Sequence, residues 1–150
     1  MDVDGTLTDG KIYMSNQGEF CKAFNVKDGC GIRDILLPKG IAPVIITGRT
    51  SQIVENRCKE LLIEEVYQGV KNKVEILEKL LREKGGSYSS VAYIGDDIND
   101  LSCMKAIREE GGIVGCPMDA ADEVKMLADF VSGKKGGEGA VREFIDWLQL

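Results

Sequence analysis

Short apolar segments alternate with amphipathic helical patterns along the chain, and this alternation is the feature that most constrains the fold. The apolar runs at residues 44–46 and 91–94 are of the kind found in buried parallel strands. Residues 72–84 place a valine and several leucines on one helical face and end at two glycines. The alternation predicts a single α/β domain over residues 1–150, with a mainly parallel sheet and helices on both of its faces.

Between the first acidic residues and residue 44, the sequence predicts a hairpin and one helix. Residues 11–24 predict a β-hairpin with a polar turn, and residues 29–37 predict a helix that ends at a Pro-Lys-Gly sequence. These elements use most of this part of the chain, so no insertion is left for a cap domain. The other predicted elements are strands at 66–67, 113–114 and 130–131, and helices starting at Thr50 or Ser51, at 98–107, at 120–128 and at the C-terminal end.

Charge and residue content exclude several classes of function. The formal net charge of -6 argues against nucleic-acid binding, which needs basic surfaces. The absence of histidine excludes histidine phosphatases, Ser-His-Asp triads and HExxH zinc sites. Five cysteines without a CxxC pair are typical of free thiols in a reducing compartment. Since neither a membrane-length apolar run nor a signal peptide is visible, we expect a cytoplasmic protein without membrane contact.

Polar residues follow the predicted strands at the points where the strands end. The segments are residues 2–6, 47–49, 71–73 and 95–100, and they carry carboxylates, a hydroxyl and lysines. Because the carboxyl ends of parallel strands meet at one edge, where ligands bind, we expect these groups to converge. Converging carboxylates repel one another, and a set of oxygen ligands suits Mg²⁺, which would attract a phosphate. The strand ends therefore predict a magnesium site for phosphoryl transfer.

Four motifs occur in a fixed order between Asp2 and Asp100: DVDGTLTDG, IITGR, a lysine that opens a helix, and GDDIND. This ordered set resembles the haloacid dehalogenase superfamily of phosphatases, which implies a three-layer Rossmann-like fold. KAFNVKDGCGI, VYQGVKNKVEIL and GGEGAVREF narrow the resemblance to the 3-deoxy-D-manno-octulosonate 8-phosphate phosphatase group. That group includes relatives acting on nonulosonate 9-phosphates and domains fused to acylneuraminate cytidylyltransferases, so the resemblance implies a role in lipopolysaccharide or sialic acid metabolism.

The resemblance also implies catalytic roles for the motif residues. Asp2 is expected to attack phosphorus and form an aspartyl phosphate, and Asp4 to protonate the leaving oxygen and then activate water. Thr47 is expected to hydrogen-bond the phosphoryl group. Lys73, rather than Lys71, is expected to balance the negative charge on Asp2.

A magnesium site is implied by the same motifs. Asp2, the backbone carbonyl of Asp4, and Asp96 are the expected ligands of the ion. Asp97 and Asp100 are expected to hold these ligands in position without binding the ion themselves.

A site without a cap domain must be closed in another way, and the resemblance implies closure by a homotetramer. The hairpins would form a central barrel, and the C-terminal tail would reach a neighbour's site. The residues then expected to contact substrate are Gly48, Arg49, Gly136, Gly137, Glu138, Gly139 and Arg142. For Arg49 a plain surface position, and for the glycine-rich segment a flexible loop before a capped helix, are equally open alternatives.

Two questions stay open from the sequence. The function could be a phosphatase for a 2-keto-3-deoxy sugar-acid phosphate, a phosphatase for a nucleotide or another small sugar phosphate, or a non-catalytic oligomerisation domain related to the cytidylyltransferase-fused domains. The second question concerns the first strand. The family has several apolar residues before the first aspartate, whereas only Met1 precedes Asp2 in this chain. Either the start of this sequence is clipped, or the chain really lacks most of the first strand. In the second case we expect a destabilised sheet and weak or absent activity.

Overall fold

The computed structural model describes all residues from Met1 to Leu150. No helix in it combines the length and apolarity needed to cross a bilayer. In chain order the elements are β1 (Tyr13–Ser15), β2 (Gly18–Cys21), α1 (Val26–Cys30), β3 (Val44–Ile46), α2 (Gln52–Glu60), β4 (Glu65–Tyr67), α3 (Lys73–Lys84), β5 (Ala92–Ile94), α4 (Leu101–Glu109), β6 (Ile113–Cys116), α5 (Asp122–Leu127), β7 (Phe130–Val131) and α6 (Ala140–Trp147).

Strands β3 to β7 form two parallel groups, and the first residues of the chain join them. β3 pairs with β4, and β6 lies between β5 and β7. The Met1 nitrogen donates to the Val44 carbonyl at 2.8 Å, and the Met1 carbonyl accepts from the Ile46 nitrogen at 3.1 Å. On the other side, the Asp2 nitrogen donates to the Ile94 carbonyl at 3.1 Å. The short first segment thus occupies the central position of the sheet and is hydrogen-bonded to both neighbours.

Helices cover both faces of the sheet, and each face has its own apolar core. Successive strand residues point to opposite faces, so Ile45 joins one core and Ile46 the other. The first core contains residues of α2 and α6, among them Phe144. The second contains residues of α3, α4 and α5, among them Met104. The predicted α/β fold with helices on both faces is confirmed, and no cap domain interrupts it.

The first helix begins earlier than predicted. Residues 29–37 were expected to be helical, but α1 starts at Val26 because the Asn25 side chain accepts a hydrogen bond from the Lys27 nitrogen at 2.8 Å. Beyond α1 the chain continues as wider π-type turns over Gly31–Leu36. The cap residue, rather than the apolar spacing, therefore sets the start of this helix.

Two other elements are shorter than predicted. The helix expected over residues 98–107 begins at Leu101, because the preceding residues form a turn in which the Asp100 nitrogen donates to the Asp97 carbonyl at 2.9 Å. The hairpin is confirmed, but its paired strands cover only β1 and β2. Residues 2–6 form the first acidic loop. The hairpin and α1 lie between this loop and β3 in the chain.

Candidate active site

The functional side chains lie at one edge of the sheet, after the strand ends. Asp2 lies between β3 and β5, Thr47 directly follows β3, and Asp96 follows β5. Lys73 is the first residue of α3, and its Nζ lies 2.8 Å from Asp2 Oδ1. Asp2, Thr47 and Lys73 are all at most 3% exposed. The structure therefore brings the four motifs into one buried site.

Three carboxylates lie close together in this site, and two of them contact a buried ammonium group. Oxygens of Asp2, Asp96 and Asp100 lie within 4.8 Å of one another, and Lys73 Nζ lies 2.7 Å from Asp100 Oδ1. Burial, followed by the charges of Asp2 and Asp100, raises the pKa of Asp96 to about 8. Burial and Asp100 also raise the pKa of Asp2, against the opposing effect of Lys73. One cation does not balance three carboxylates, so the cluster favours additional positive charge.

The atoms of the cluster fit a hard divalent cation. Asp2 Oδ1 is buried and, although Lys73 Nζ is 2.8 Å away, it receives no hydrogen bond of normal geometry. Carboxylate and carbonyl oxygens are the ligands that Mg²⁺ prefers. An ion beside Asp2 and Asp96 would give the unsatisfied oxygen a partner and reduce the repulsion among the carboxylates.

Asp100 is saturated by donors from the protein. Its Oδ1 accepts from Lys73 Nζ at 2.7 Å and from the Tyr93 hydroxyl at 2.6 Å. Its Oδ2 accepts from the backbone nitrogens of Asp96 and Asp97 at 3.1 and 3.3 Å. Asp100 therefore fixes both the lysine and the loop that carries Asp96. The side chain of Asp97, by contrast, is exposed and hydrogen-bonds within its own turn.

The loop after Asp2 packs closely against the loop after β5. Gly5 has a φ of +93°, and a Cβ there would lie 2.0 Å from Asp96 Oδ2. Thr6 Oγ1 donates a hydrogen bond to Asp96 Oδ1 at 3.0 Å. Only glycine combines this backbone conformation with this close approach, which explains the residue that follows the second aspartate.

The glycine-rich segment before α6 also contacts the first acidic loop of its own chain. The Gly137 nitrogen donates to the Thr6 carbonyl at 3.1 Å. A Cβ at Gly136 would lie 1.9 Å from the Gly5 carbonyl oxygen. These two glycines allow the segment to lie directly on the loop that carries the predicted nucleophile and proton donor.

Other residues expected to contact substrate are less closely tied to the acidic cluster. Gly139 has a φ of +102° and occupies the N-cap position of α6. The Arg142 guanidinium is paired with Asp146 at 2.9 Å, and Glu138 lies in the turn before α6. Their contact with substrate, which involves a neighbouring subunit, stays a prediction.

Asp4 lies among charged residues, two of which, Lys22 and Glu19, have no role in the predictions from the sequence. Lys22 Nζ is ion-paired with Asp4, and it also lies 2.9 Å from Glu19 Oε1. Arg49, which follows the exposed Gly48, approaches Asp4 Oδ2 at 3.7 Å. The one signal for Lys22 in the sequence is its place as the first residue of KAFNVKDGCGI.

Comparison with known proteins decides the family. A sequence profile of the haloacid dehalogenase-like hydrolases matches residues 62–145. The 3-deoxy-D-manno-octulosonate 8-phosphate phosphatase KdsC of Escherichia coli K12 is 45% identical over 153 aligned positions, which cover 100% of this chain and 77% of the relative. This chain belongs to the KdsC family of haloacid dehalogenase-like phosphatases. The KdsC of Yersinia pestis is 43% identical, covering 99% of this chain and 77% of its own length.

Solved structures of the KdsC family have the same fold. The 3-deoxy-D-manno-octulosonate 8-phosphate phosphatase of Moraxella catarrhalis, in complex with a magnesium ion, a phosphate ion and a KDO molecule, matches with a TM-score of 0.91 at 39% identity, over 99% of this chain and 82% of that chain. The cobalt-bound phosphatase of Haemophilus influenzae matches with a TM-score of 0.90 at 36% identity, over 98% and 83%. The predicted resemblance, the fold class and the assignment as a phosphatase are confirmed.

Proposed function

We propose that this chain is a magnesium-dependent phosphatase whose substrate is 3-deoxy-D-manno-octulosonate 8-phosphate. The observation that carries the proposal is the cluster of Asp2, Asp96 and Asp100, in which the buried Lys73 contacts Asp2 and Asp100. The substrate comes from the KdsC relatives, which are named for it, and the magnesium from the ion in the Moraxella catarrhalis complex.

Asp2 is the nucleophile in this proposal. A carboxylate oxygen of Asp2 attacks phosphorus, the bond from phosphorus to the sugar oxygen breaks, and the electron pair leaves with the sugar oxygen. Water then attacks the aspartyl phosphate, the bond from phosphorus to Asp2 breaks, and inorganic phosphate is released. Lys73 offsets the negative charge near Asp2, and Thr47 donates its hydroxyl to the phosphoryl oxygens.

Asp4 moves the proton in both steps. A sugar alkoxide is a poor leaving group, and the chain contains no histidine that could protonate it. Asp4 gives its proton to the sugar oxygen in the first step and takes one from the attacking water in the second. A positioned acid of this kind contributes roughly 10²–10⁴ in rate.

Asp2, the carbonyl oxygen of Asp4, and Asp96 would hold the magnesium ion. When bound, the ion offsets the charge of the carboxylates and of the transferred phosphoryl group. Asp100, which is saturated by protein donors, keeps Lys73 and the Asp96 loop in place.

We also propose that the enzyme acts in the cytoplasm as a homotetramer whose subunits close the site. The outer face of the hairpin supports subunit contact, because Met14 and Phe20 are 63% and 72% exposed. Because Gly136 and Gly137 lie on the acidic loop of their own chain, residues 138–142 are the ones that would lie near a neighbour's substrate in that assembly. Arg49 would contact the sugar acid from the same chain.

Phosphate release from a panel of substrates tests the proposal. We expect turnover of 3-deoxy-D-manno-octulosonate 8-phosphate with Mg²⁺, and loss of turnover with chelator or in Asp2→Asn. Hexose phosphates and nucleotides should be much poorer substrates. A broad profile would contradict the substrate assignment, and activity that persists in Asp2→Asn would contradict the mechanism.

A further inference from the structure

A chain of polar contacts joins the first acidic loop to the hairpin, and the mechanism above does not use it. Lys22 follows β2 and is ion-paired with Asp4 on one side and with Glu19 on the other. Glu19 in turn accepts a hydrogen bond from the Ser51 hydroxyl. We call these four residues the hairpin network.

Lys22 is the buried centre of the hairpin network. Its side chain is 1% exposed, whereas those of Asp4 and Glu19 are 19% and 16% exposed. Burial lowers the pKa of Lys22, but its hydrogen bonds to Asp4 and Glu19 outweigh that effect and raise it. A buried ammonium group that loses a partner is strongly unfavourable, so its two carboxylates hold Lys22 in one place.

Arg49 provides a contrast within the same site. Its side chain is 44% exposed, and its nearest approach to Asp4 is 3.7 Å. Exposed ion pairs of this length contribute little to a fixed geometry. Lys22, and not Arg49, is therefore the group that determines where the Asp4 carboxylate points.

Ser51 supports the network at a cost to its own helix. It occupies the N-cap position of α2, where a serine hydroxyl normally caps the helix, but its side chain makes no capping hydrogen bond. Its hydroxyl donates to Glu19 instead, and its backbone nitrogen donates to Gln68 Oε1 at 2.8 Å. The loop after β3 thus fixes Glu19, which fixes Lys22.

We propose that Lys22, held by Glu19 and Ser51, is a positioning residue that directs the Asp4 carboxylate toward the leaving oxygen of the substrate. The inference rests on the proposed acid-base role of Asp4. Lys22 Nζ contacts Asp4 Oδ1, which leaves Oδ2 as the oxygen that exchanges a proton with the leaving group. The hairpin therefore belongs to the catalytic apparatus through this lysine.

The leaving group distinguishes this role from general structural support. A sugar alkoxide needs a proton as it departs, whereas a nitrophenolate is stable enough to leave without one. Loss of positioning therefore slows hydrolysis of the sugar-acid phosphate more than hydrolysis of p-nitrophenyl phosphate. A merely structural defect slows both by the same factor.

The test compares kcat/KM on the two substrates for Lys22→Met, with Glu19→Gln as a second variant. The ratio kcat/KM reports the steps up to departure of the leaving group and excludes hydrolysis of the aspartyl phosphate, which is the same for both substrates. We expect Lys22→Met to lose about 10- to 100-fold on 3-deoxy-D-manno-octulosonate 8-phosphate and less than about threefold on p-nitrophenyl phosphate. Glu19→Gln should show the same split with a smaller loss, and Lys22→Arg should recover part of the rate. Lys11→Met, which removes an exposed lysine near the hairpin, is the matched control and should change neither rate.

The outcomes separate this inference from the proposed function. Turnover by the wild-type enzyme with Mg²⁺ tests the function on its own. With an active wild type, an equal loss on both substrates, or no loss, would overturn the positioning role of Lys22. If Lys22→Met does not fold, Lys22→Arg and Glu19→Gln carry the same comparison, and equal effects on both substrates there would overturn it too.

Discussion

Replacing Asp96 by asparagine should stabilise the metal-free protein while abolishing its activity. Asp96 is held close to Asp2 and Asp100, and its pKa is raised to about 8 by burial and by these neighbours. Asparagine removes the charge and keeps an oxygen that can accept the hydrogen bond from Thr6 Oγ1. The substitution therefore relieves repulsion and leaves the Thr6 hydroxyl with its acceptor.

The size of this effect follows from the difference in pKa between the folded and unfolded states. The unfolded-state pKa of an aspartate is about 3.9, and one pKa unit corresponds to about 1.4 kcal/mol. Because the folded state binds this proton more tightly, its stability falls as the pH rises from about 4 to about 8. At pH 7 a carboxyl group with a pKa of about 8 is mostly protonated, and taking up this proton costs the folded state up to about 4 kcal/mol relative to the ionised aspartate of the unfolded chain. We therefore expect Asp96→Asn to gain about 2–4 kcal/mol.

Denaturant unfolding in chelator, at a series of pH values from 5 to 8, measures this gain. The wild-type free energy of unfolding should fall as the pH rises, and that of Asp96→Asn should fall less. Saturating Mg²⁺ should stabilise the wild type and not the variant, since binding to the folded state raises its stability. Asp122→Asn removes the same charge from a side chain that is 92% exposed and lies outside the cluster, and it is the control. A metal-free Asp96→Asn that is no more stable than wild type at pH 7 would refute the reasoning.

Two further predictions concern the packing around the site. Gly136→Ala would place a Cβ 1.9 Å from the Gly5 carbonyl oxygen, whereas a Cβ at Gly133 would lie 3.7 Å from Glu143 Oε2, an ordinary contact distance. Only Gly136→Ala should therefore lower kcat and, by about 1–3 kcal/mol, the free energy of unfolding; equal effects of the two would contradict this. Tyr93→Phe removes the 2.6 Å hydrogen bond to the buried Asp100, and urea unfolding should show a loss of about 1.5–3 kcal/mol; an unchanged stability would show that this bond is not needed.

The sequence alone could predict that the residues of the main site lie close together, because this follows from the geometry of parallel sheets. Residues that follow parallel strands meet at one edge, so Asp2, Thr47 and Asp96 had to lie close together once the strands were identified. Lys73 was placed by its position at the start of a helix. The structure brings these four residues together as expected, and their individual roles stay predictions.

Other features depend on contacts between distant parts of the chain, and local patterns do not encode them. Lys22 reaches Asp4 only because the hairpin folds back on the acidic loop, which alternation in the hairpin sequence does not specify. Gly137 lies on the Thr6 carbonyl for a similar reason, although it comes far later in the chain. The predicted start of this helix at residue 29 is wrong, because Asn25 caps a helix that already begins at Val26.

The first segment of the chain is short, but its backbone is hydrogen-bonded on both sides. A segment with only Met1 before Asp2 was expected to leave the centre of the sheet poorly formed. The backbone of these two residues nonetheless hydrogen-bonds to Val44, Ile46 and Ile94. Asp2 is therefore held by neighbouring strands on both sides, and the expected weakness of the sheet stays a prediction that unfolding measurements test.

Rapid quenching of the enzyme with substrate and Mg²⁺, followed by mass spectrometry of the N-terminal peptide, tests the chemistry proposed at the acidic cluster most directly. A transient phosphoryl adduct on Asp2, absent with chelator and removed by hydroxylamine, is the predicted result. An active enzyme that never carries phosphate at Asp2, or that carries it on another residue, would contradict the account.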